Sequence, residues 1–237
     1  MREIWLVFVV ASFLSALSLP AAAQPAEPPK PADPAAPAGP ATPAPAAPQP
    51  APPPAAASDS NLLAIGPDDR VLGKPDAPIT IIEYASLTCP HCRRFETDVL
   101  PAVKEKWIDP GKAKLVLRDF PLDEPAMRAA MVARCLPPER FYGFVDTLFR
   151  DQEHWAIARD YKSALERLAK FAGMSANQFK DCVGDKTAEN RTLAGRLAAA
   201  QKLGVDATPT FFINGKKFAG EPTLQSFEQL LNGLAEK

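Results

Sequence analysis

The sequence predicts an α/β fold in which a βαβ half and a ββα half enclose a block of helices. Three patterns predict it: strand–helix–strand over about residues 78–120, helical periodicity over about residues 122–204, then a hairpin followed by a helix. All three lie in residues 58–237, which suffice for one domain with its own hydrophobic core. We therefore expect one domain with a helical insertion at about residues 122–204.

The first half opens with a predicted strand from Pro78 to Ala85. Its isoleucines fall on both faces, as expected for a strand that helices cover on each side. A helix follows in which apolar side chains recur every four residues: Phe95, Val99, Val103 and Trp107. We expect Pro101 to bend this helix, because its ring clashes with the preceding turn. A second strand from Ala113 to Phe120 completes the unit.

The helical region contains recognisable helix ends. Ser175 with Gln178 matches a capping box, and Gly173 is suited to end the preceding helix in a left-handed conformation. Another helix before Gly204 is marked by apolar residues: Leu193, Leu197 and Ala200.

A hairpin and a helix form the predicted second half. The strand from Thr210 to Ile213 and the strand from Lys217 to Ala219 flank Asn214-Gly215, a strong signal for a tight hairpin turn. A final helix from about Thr223 carries its apolar residues on one face: Phe227, Leu230, Leu231 and Leu234.

The N-terminus has the pattern of an export signal. A 16-residue apolar stretch from Ile4 to Leu19 precedes Ala21-Ala22-Ala23, a sequence that signal peptidases accept. We expect residues 1–23 to be a signal peptide that is cleaved before Gln24, which places the protein in the periplasm. An uncleaved membrane anchor is the alternative, although a bilayer-spanning helix needs about 20 apolar residues.

Residues 24–57 form a segment of unusual composition. Of these 34 residues, 14 are proline and 13 are alanine. Such a segment cannot bury enough apolar surface to offset the entropy of ordering it, so we expect a disordered, extended linker. It is interpreted either as a spacer between the domain and a membrane or partner, or as a low-complexity tail without a binding role.

The charge balance gives no indication of a nucleic-acid partner. The chain has 27 Lys and Arg against 28 Asp and Glu, and two of the basic and three of the acidic residues precede Ser58. The predicted domain therefore has no net charge, and it has no basic stripe of the kind that binds nucleic acid.

The most informative motif is Cys89-Pro90-His91-Cys92, which lies where the first strand gives way to a helix. At a helix N-terminus, unpaired N–H groups and the helix dipole favour a thiolate at the first cysteine. This predicts a redox-active dithiol. A zinc site would need a second Cys or His pair, but the chain offers only two distant cysteines and His154. A permanent disulfide in so short a loop would constrain the unfolded chain little.

The other two cysteines, Cys135 and Cys182, both lie in the helical region. An even number of cysteines in an exported chain favours their pairing as a structural disulfide. Closing so long a loop is nominally worth about 4 kcal/mol. Two buried thiols are the alternative.

These features resemble a known family. A dithiol after the first strand of a βαβ…ββα chain is the thioredoxin arrangement, and the interposed helices make the chain similar to the DsbA-type periplasmic disulfide oxidoreductases. The Pro-His pair inside the dithiol motif and Thr208-Pro209 before the late strand match that family's motifs. The resemblance covers about Ile65 to Lys237.

The resemblance implies roles for individual residues. Cys89 is the expected nucleophile and Cys92 the resolving cysteine, with His91 stabilising the thiolate; a solvent-facing His91 is the alternative. Thr208 and Pro209 are expected to form a cis-proline loop that pairs with an extended substrate segment.

Two acidic residues, Glu83 and Glu96, match acidic positions of the family. Glu83 is flanked by apolar residues, so burial would raise its pKa and allow it to relay a proton to Cys92. A surface carboxylate is the alternative.

The resemblance implies an exported oxidase that introduces disulfides into newly exported proteins. Relatives that isomerise disulfides usually add an N-terminal dimerisation or trimerisation module, and the Pro/Ala segment at that position is unsuited to a helical interface, so we expect a monomer. The resemblance implies no cofactor, and it implies reoxidation by a membrane quinone-linked partner similar to DsbB. One alternative is a reductase or isomerase kept reduced by a membrane donor. The other is a soft-metal-binding module that uses the two thiolates of the motif.

Overall fold

The computed structural model describes residues 62–236. The predicted signal peptide (residues 1–23) and linker (residues 24–57) lie outside the described residues. Within residues 62–236, none of the helices is long and apolar enough to span a bilayer.

A five-stranded mixed sheet forms the centre of the domain. Its strands are β1 (Val71–Leu72), β2 (Ile79–Ala85), β3 (Ala113–Asp119), β4 (Thr210–Ile213) and β5 (Lys216–Lys217). The order across the sheet is β1-β3-β2-β4-β5, with β2 parallel to β3 and antiparallel to β4. The predicted α/β fold is therefore confirmed, and β2 lies at the middle of the sheet.

The strand boundaries differ from the predicted ones in small ways. β2 begins at Ile79 and not at Pro78, which has no N–H group to donate to the sheet. The hairpin turn has φ values of 47° at Asn214 and 77° at Gly215, as its sequence predicts. β5 begins one residue earlier than expected and ends at Lys217, so Phe218 and Ala219 lie outside it. β1 was not predicted, since a two-residue edge strand has no detectable periodicity.

The helix after the dithiol alternates between α-helical and π-helical turns. It consists of α1 (Pro90–Arg94), a π-helical segment (Phe95–Val99), α2 (Leu100–Val103) and a second π-helical segment (Lys104–Ile108). The wider i→i+5 turns keep residues four apart on one face, so all four predicted stripe residues are buried: Phe95, Val99, Val103 and Trp107. Pro101 lies in the first turn of α2, directly after the first π-helical segment.

The remaining helices are α3 (Glu124–Cys135), α4 (Pro138–Arg150), α5 (Gln152–Trp155), α6 (Tyr161–Phe171), α7 (Ala176–Gly184), α8 (Lys186–Leu203) and α9 (Leu224–Ala235). The capping box of Ser175 and Gln178 is present at the start of α7. Gly173 and Gly204 follow α6 and α8 with φ values of 89° and 63°, the left-handed conformation expected of helix-ending glycines.

The core packs against both faces of the sheet, as the isoleucine pattern of β2 predicts. Ile81 belongs to a cluster with Phe95 and Phe227, whereas Ile82 belongs to a cluster on the opposite face with Val116. A third cluster fills the helical block and reaches the two cysteines of the dithiol. The dithiol therefore lies where the helical block meets the sheet.

Helix α8 is present before Gly204 as predicted, but it does not bury the leucines that mark it in the sequence. Leu193 and Leu197 are 45% and 54% exposed, whereas Ala199 is buried against the sheet and Ala200 is partly buried. The small side chain of Ala199 occupies the inward position, and this turns the two leucines towards solvent.

Candidate active site

The two cysteines of the dithiol occupy different positions at the start of α1. Cys89 is the N-cap residue and Cys92 lies in the first turn, and both carry free thiols. Both are buried, with 5% and 0% exposure, whereas Pro90 and His91 between them are exposed. The turn thus presents the Pro-His pair at the surface and keeps both cysteine residues largely buried.

Hydrogen bonds favour the thiolate of Cys89. Together they lower the pKa of Cys89 from 9.0 to about 5, although burial acts in the opposite direction. The largest contribution comes from the Cys92 thiol, followed by the Thr208 side chain and the backbone N–H groups of Cys92 and His91. Cys89 is therefore ionised at neutral pH.

The environment of Cys92 has the opposite effect. Burial raises the pKa of the Cys92 thiol well above its usual range, and the hydrogen bond to Cys89 and the negative charge of Glu83 raise it further. At neutral pH the pair is therefore a Cys89 thiolate beside a protonated Cys92 thiol, which makes Cys89 the more nucleophilic of the two.

The loop before β4 lies against Cys89. The Thr208–Pro209 peptide bond is cis, and the Thr208 carbonyl oxygen lies 3.3 Å from the Cys89 sulfur. The Thr208 hydroxyl is buried and has no hydrogen-bond partner in residues 62–236. It is therefore free to donate to the Cys89 sulfur when that sulfur is ionised.

Two buried carboxyl groups lie beneath the dithiol. Glu83 on β2 is 0% exposed and Glu96 in the first π-helical segment is 6% exposed. Burial raises the pKa of Glu83 well above its usual range, and repulsion from Glu96 raises it further. Burial also raises the pKa of Glu96 to about 8. The pair therefore holds at least one proton at neutral pH. The 0% exposure of Glu83 confirms its predicted burial.

Both histidines lie at the surface. His91 affects Cys89 through its backbone N–H group. The side chain of His154 is 81% exposed and lies 2.9 Å from Asp151. Among residues 62–236, no group of three or more His, Cys, Asp or Glu side chains is placed to hold a metal ion.

The sequence did not indicate several polar side chains that bond to the dithiol turn, the segment of residues 86–92 that carries the two cysteines. Gln152 in α5 is buried and its amide donates to the Leu87 and Cys89 carbonyl oxygens. Thr88 donates to Asp123, the N-cap residue of α3, at 2.8 Å. No sequence pattern singles out Gln152, because its contacts lie 63 and 65 residues away.

Cys135 and Cys182 form a disulfide in the structure. The bond joins the end of α3 to α7, with a Cα–Cα distance of 6.1 Å and a sequence separation of 47 residues. It crosslinks the helical block and lies apart from the dithiol in the sequence.

Comparison with known proteins agrees with this arrangement. A family model described as Thioredoxin matches residues 66–233. Wolbachia pipientis alpha-DsbA1, whose crystal structure is solved, has 34% sequence identity to this chain and a TM-score of 0.71. The match covers 76% of this chain and 96% of that one. The structure of Bacillus subtilis BdbD shares the fold at 23% identity and a TM-score of 0.63, over 72% of this chain and 94% of that one.

A curated relative from Rickettsia bellii is named "Putative protein-disulfide oxidoreductase". It is 30% identical over 152 residues, which are 64% of this chain and 59% of the relative. The aligned part thus spans less than two thirds of that relative's length. The family model includes the dithiol and the loop of Thr208 and Pro209, and the match to the Wolbachia structure covers almost all of that chain. This chain therefore belongs to the thioredoxin family, among the DsbA-type protein-disulfide oxidoreductases.

Proposed function

We propose that this protein is an exported thiol:disulfide oxidoreductase that introduces disulfide bonds into exported proteins through the Cys89–Cys92 pair. The observation that carries the proposal is the opposite shift of the two pKa values, lowered to about 5 for Cys89 and raised for Cys92. A stabilised thiolate favours the reduced dithiol, so the disulfide form is an oxidant.

The size of the shift indicates how strong an oxidant to expect. Thioredoxin, with a nucleophile pKa of about 7, has a potential of about −270 mV, and DsbA, with about 3.5, has about −120 mV. A pKa of about 5 lies between these values. Interpolation gives a potential of roughly −180 mV for the Cys89–Cys92 couple.

The reaction is two successive thiol–disulfide exchanges. A substrate thiolate attacks the Cys89 sulfur of the disulfide, the Cys89–Cys92 bond breaks, and Cys92 leaves with the electron pair. A second thiolate of the substrate then attacks the substrate sulfur of the mixed disulfide, and Cys89 leaves as a thiolate. The substrate dithiol is thereby oxidised to a disulfide, and the Cys89–Cys92 pair is reduced to a dithiol.

Glu83 is proposed to supply the proton that Cys92 needs as it leaves. Cys92 is a poor leaving group as a thiolate, since burial raises its pKa. Burial raises the pKa of Glu83, which favours its protonated form, and Glu83 lies close enough for its ionised form to raise the pKa of Cys92. Transfer of that proton to Cys92 would leave the negative charge shared with Glu96.

Substrate is proposed to bind along the loop of Thr208 and Pro209. This loop contacts the Cys89 sulfur through the Thr208 carbonyl oxygen, so an extended segment that pairs with its backbone would present a cysteine to Cys89. His91, exposed beside the dithiol, is proposed to stabilise the thiolate with its side chain as well.

The compartment and partners are part of the same proposal. The apolar stretch from Ile4 to Leu19 and the following alanines support a cleaved signal and a periplasmic location. A membrane quinone-linked oxidase similar to DsbB is proposed to reoxidise the monomeric protein, and the Cys135–Cys182 bond to serve as a structural crosslink. Residues 24–57 are proposed to be an extended linker.

Measuring the reduction potential of the Cys89–Cys92 couple tests the function. The protein is equilibrated with glutathione buffers, free thiols are alkylated, and the peptide that carries the dithiol is analysed by mass, which separates it from the Cys135–Cys182 bond. A value near −180 mV or more positive is expected. A value near −270 mV would identify a reductant and contradict the proposal.

A further inference from the structure

A buried amide of the helical block is bonded to the dithiol turn. Gln152 is the first residue of α5 and only 4% exposed. Its Nε2 donates one hydrogen bond to the Leu87 carbonyl oxygen at 2.8 Å and another to the Cys89 carbonyl oxygen at 3.1 Å. One amide group is therefore hydrogen-bonded to the turn on both sides of Thr88.

The backbone of Cys89 makes two further hydrogen bonds. The Cys89 N–H donates to the Ser86 carbonyl oxygen at 3.0 Å, and the Cys89 carbonyl oxygen also accepts from the Arg93 N–H at 3.0 Å. The carbonyl of Cys89 is thus shared between the first turn of α1 and Gln152. Because both donors are fixed by helices, the backbone of Cys89 is set by α1 from one side and by α5 from the other.

This geometry acts on the reactive sulfur. The Cys89 sulfur is stabilised as a thiolate by the backbone N–H groups of His91 and Cys92, which belong to the first turn of α1. The neutral Cys89 side chain makes no cap hydrogen bond, so these N–H groups can donate to the sulfur only when it is ionised and only while Cys89 keeps its N-cap conformation, with φ of −78° and ψ of 122°. The hydrogen bonds of Gln152 to the carbonyl oxygens of residues 87 and 89 hold the peptides that determine these angles.

We propose that Gln152 is a positioning residue, which fastens the dithiol turn to the helical block and keeps the Cys89 sulfur within reach of the His91 and Cys92 N–H groups. The inference deepens the proposed exchange reaction at Cys89 and rests on it. It assigns a task to the helical block, since α5 reaches the dithiol turn through this side chain.

The neighbouring residue provides a matched comparison. Glu153 also bridges α5 to α1, through a 2.8 Å ion pair with Arg93, but its side chain is 70% exposed. Exposed ion pairs are screened by water and contribute little. A buried amide with two hydrogen bonds is expected to matter where an exposed carboxylate one residue away does not.

The test replaces Gln152 with methionine, which has similar length and no donor. In the reduced Gln152→Met protein, we expect the pKa of Cys89 to rise by about one unit, the scale of a lost hydrogen bond. The pKa is measured from the pH dependence of Cys89 alkylation, with the Cys135–Cys182 bond left intact. The potential of the Cys89–Cys92 couple is expected to become more negative in the same variant.

Two controls separate positioning from simple loss of stability. Glu153→Gln is expected to keep the wild-type pKa of Cys89. Leu231→Ala, in the buried face of α9, is expected to lower the melting temperature and to leave that pKa unchanged. If Gln152→Met shifts the melting temperature but not the pKa, Gln152 is merely structural and the inference is overturned.

A second substitution keeps the test decisive if Gln152→Met does not fold. Gln152→Glu retains the size of the side chain and, when ionised, places a negative charge beside the turn. It is expected to raise the pKa of Cys89 at least as far as methionine does, and an unchanged pKa in this variant would also overturn the inference. Failure of the proposed function would look different, because the wild-type protein would then lack the lowered pKa or would not exchange disulfides.

Discussion

The Cys89 sulfur lies 3.3 Å from the Thr208 carbonyl oxygen, although 119 residues separate them in the chain. The sheet brings them together, because β2 and β4 are antiparallel neighbours in which Tyr84 pairs with Thr210. The dithiol turn follows the end of β2 and the cis-proline loop precedes the start of β4. Both therefore emerge at the same end of the sheet, which brings the Thr208 backbone next to the Cys89 sulfur.

Replacing Thr208 with valine tests the hydroxyl beside the dithiol. Valine keeps the shape of the side chain but removes a buried hydroxyl that helps to lower the pKa of Cys89. We expect Thr208→Val to raise this pKa by about half a unit to one unit, measured by alkylation across pH. Thr192→Val, whose hydroxyl bonds to Ala188 within α8, serves as a control that leaves the pKa unchanged. An unshifted Thr208→Val protein would show that the hydroxyl does not reach the thiolate.

Substitution of Cys92 tests its role as a hydrogen-bond donor to Cys89. The bond from the Cys92 thiol is the largest cause of the lowered pKa of Cys89. Cys92→Ala is therefore expected to raise that pKa by about one to two units, the scale of a hydrogen bond to a charged group. Cys92→Ser retains a donor and is expected to stay closer to the wild-type value. Equal pKa values in the two variants would argue against the hydrogen bond as the cause.

Glu96 makes the stability of the protein depend on pH. Its pKa is raised from 4.5 to about 8 because the folded protein buries it. Between those pH values Glu96 is protonated when folded and ionised when unfolded, so its contribution to stability is present at low pH and is lost as the pH rises. We expect the free energy of unfolding to fall by up to about 1.4 kcal/mol per pH unit across this window.

Replacement of this carboxyl group checks the assignment. Glu96→Gln removes the ionisable group and is expected to flatten the decline in urea denaturation curves recorded from about pH 4.5 to pH 8. Glu105→Gln, at an exposed position of the second π-helical segment, is expected to keep the wild-type slope. A decline of equal steepness in Glu96→Gln and the wild type would assign the pH dependence to another group.

Local patterns in the sequence were enough to predict the main elements. The strand with isoleucines on both faces, the dithiol at the start of a helix and the Asn214-Gly215 turn are each determined by neighbouring residues, and each is found in the structure. The capping box of Ser175 and Gln178 is predictable for the same reason, because its two hydrogen bonds join residues three apart.

Packing decided what local patterns could not. Leu193 and Leu197 have the spacing of an inward-facing pair, yet they are exposed because Ala199 takes the inward position of α8. The π-helical turns of the active-site helix likewise maintain a four-residue stripe that an α-helix alone would rotate out of the core.

The sequence by itself determined the fold class, the dithiol and the residues that surround it in the chain, since short-range periodicity and helix-end chemistry act between neighbours. Only the tertiary structure decided that Gln152 donates hydrogen bonds to the dithiol turn and that Glu83 and Glu96 share one buried site. The physical reason is that acidity in a protein interior is set by burial and by donors brought from distant parts of the chain. This burial and these donor contacts form only once the sheet and the helical block have packed together.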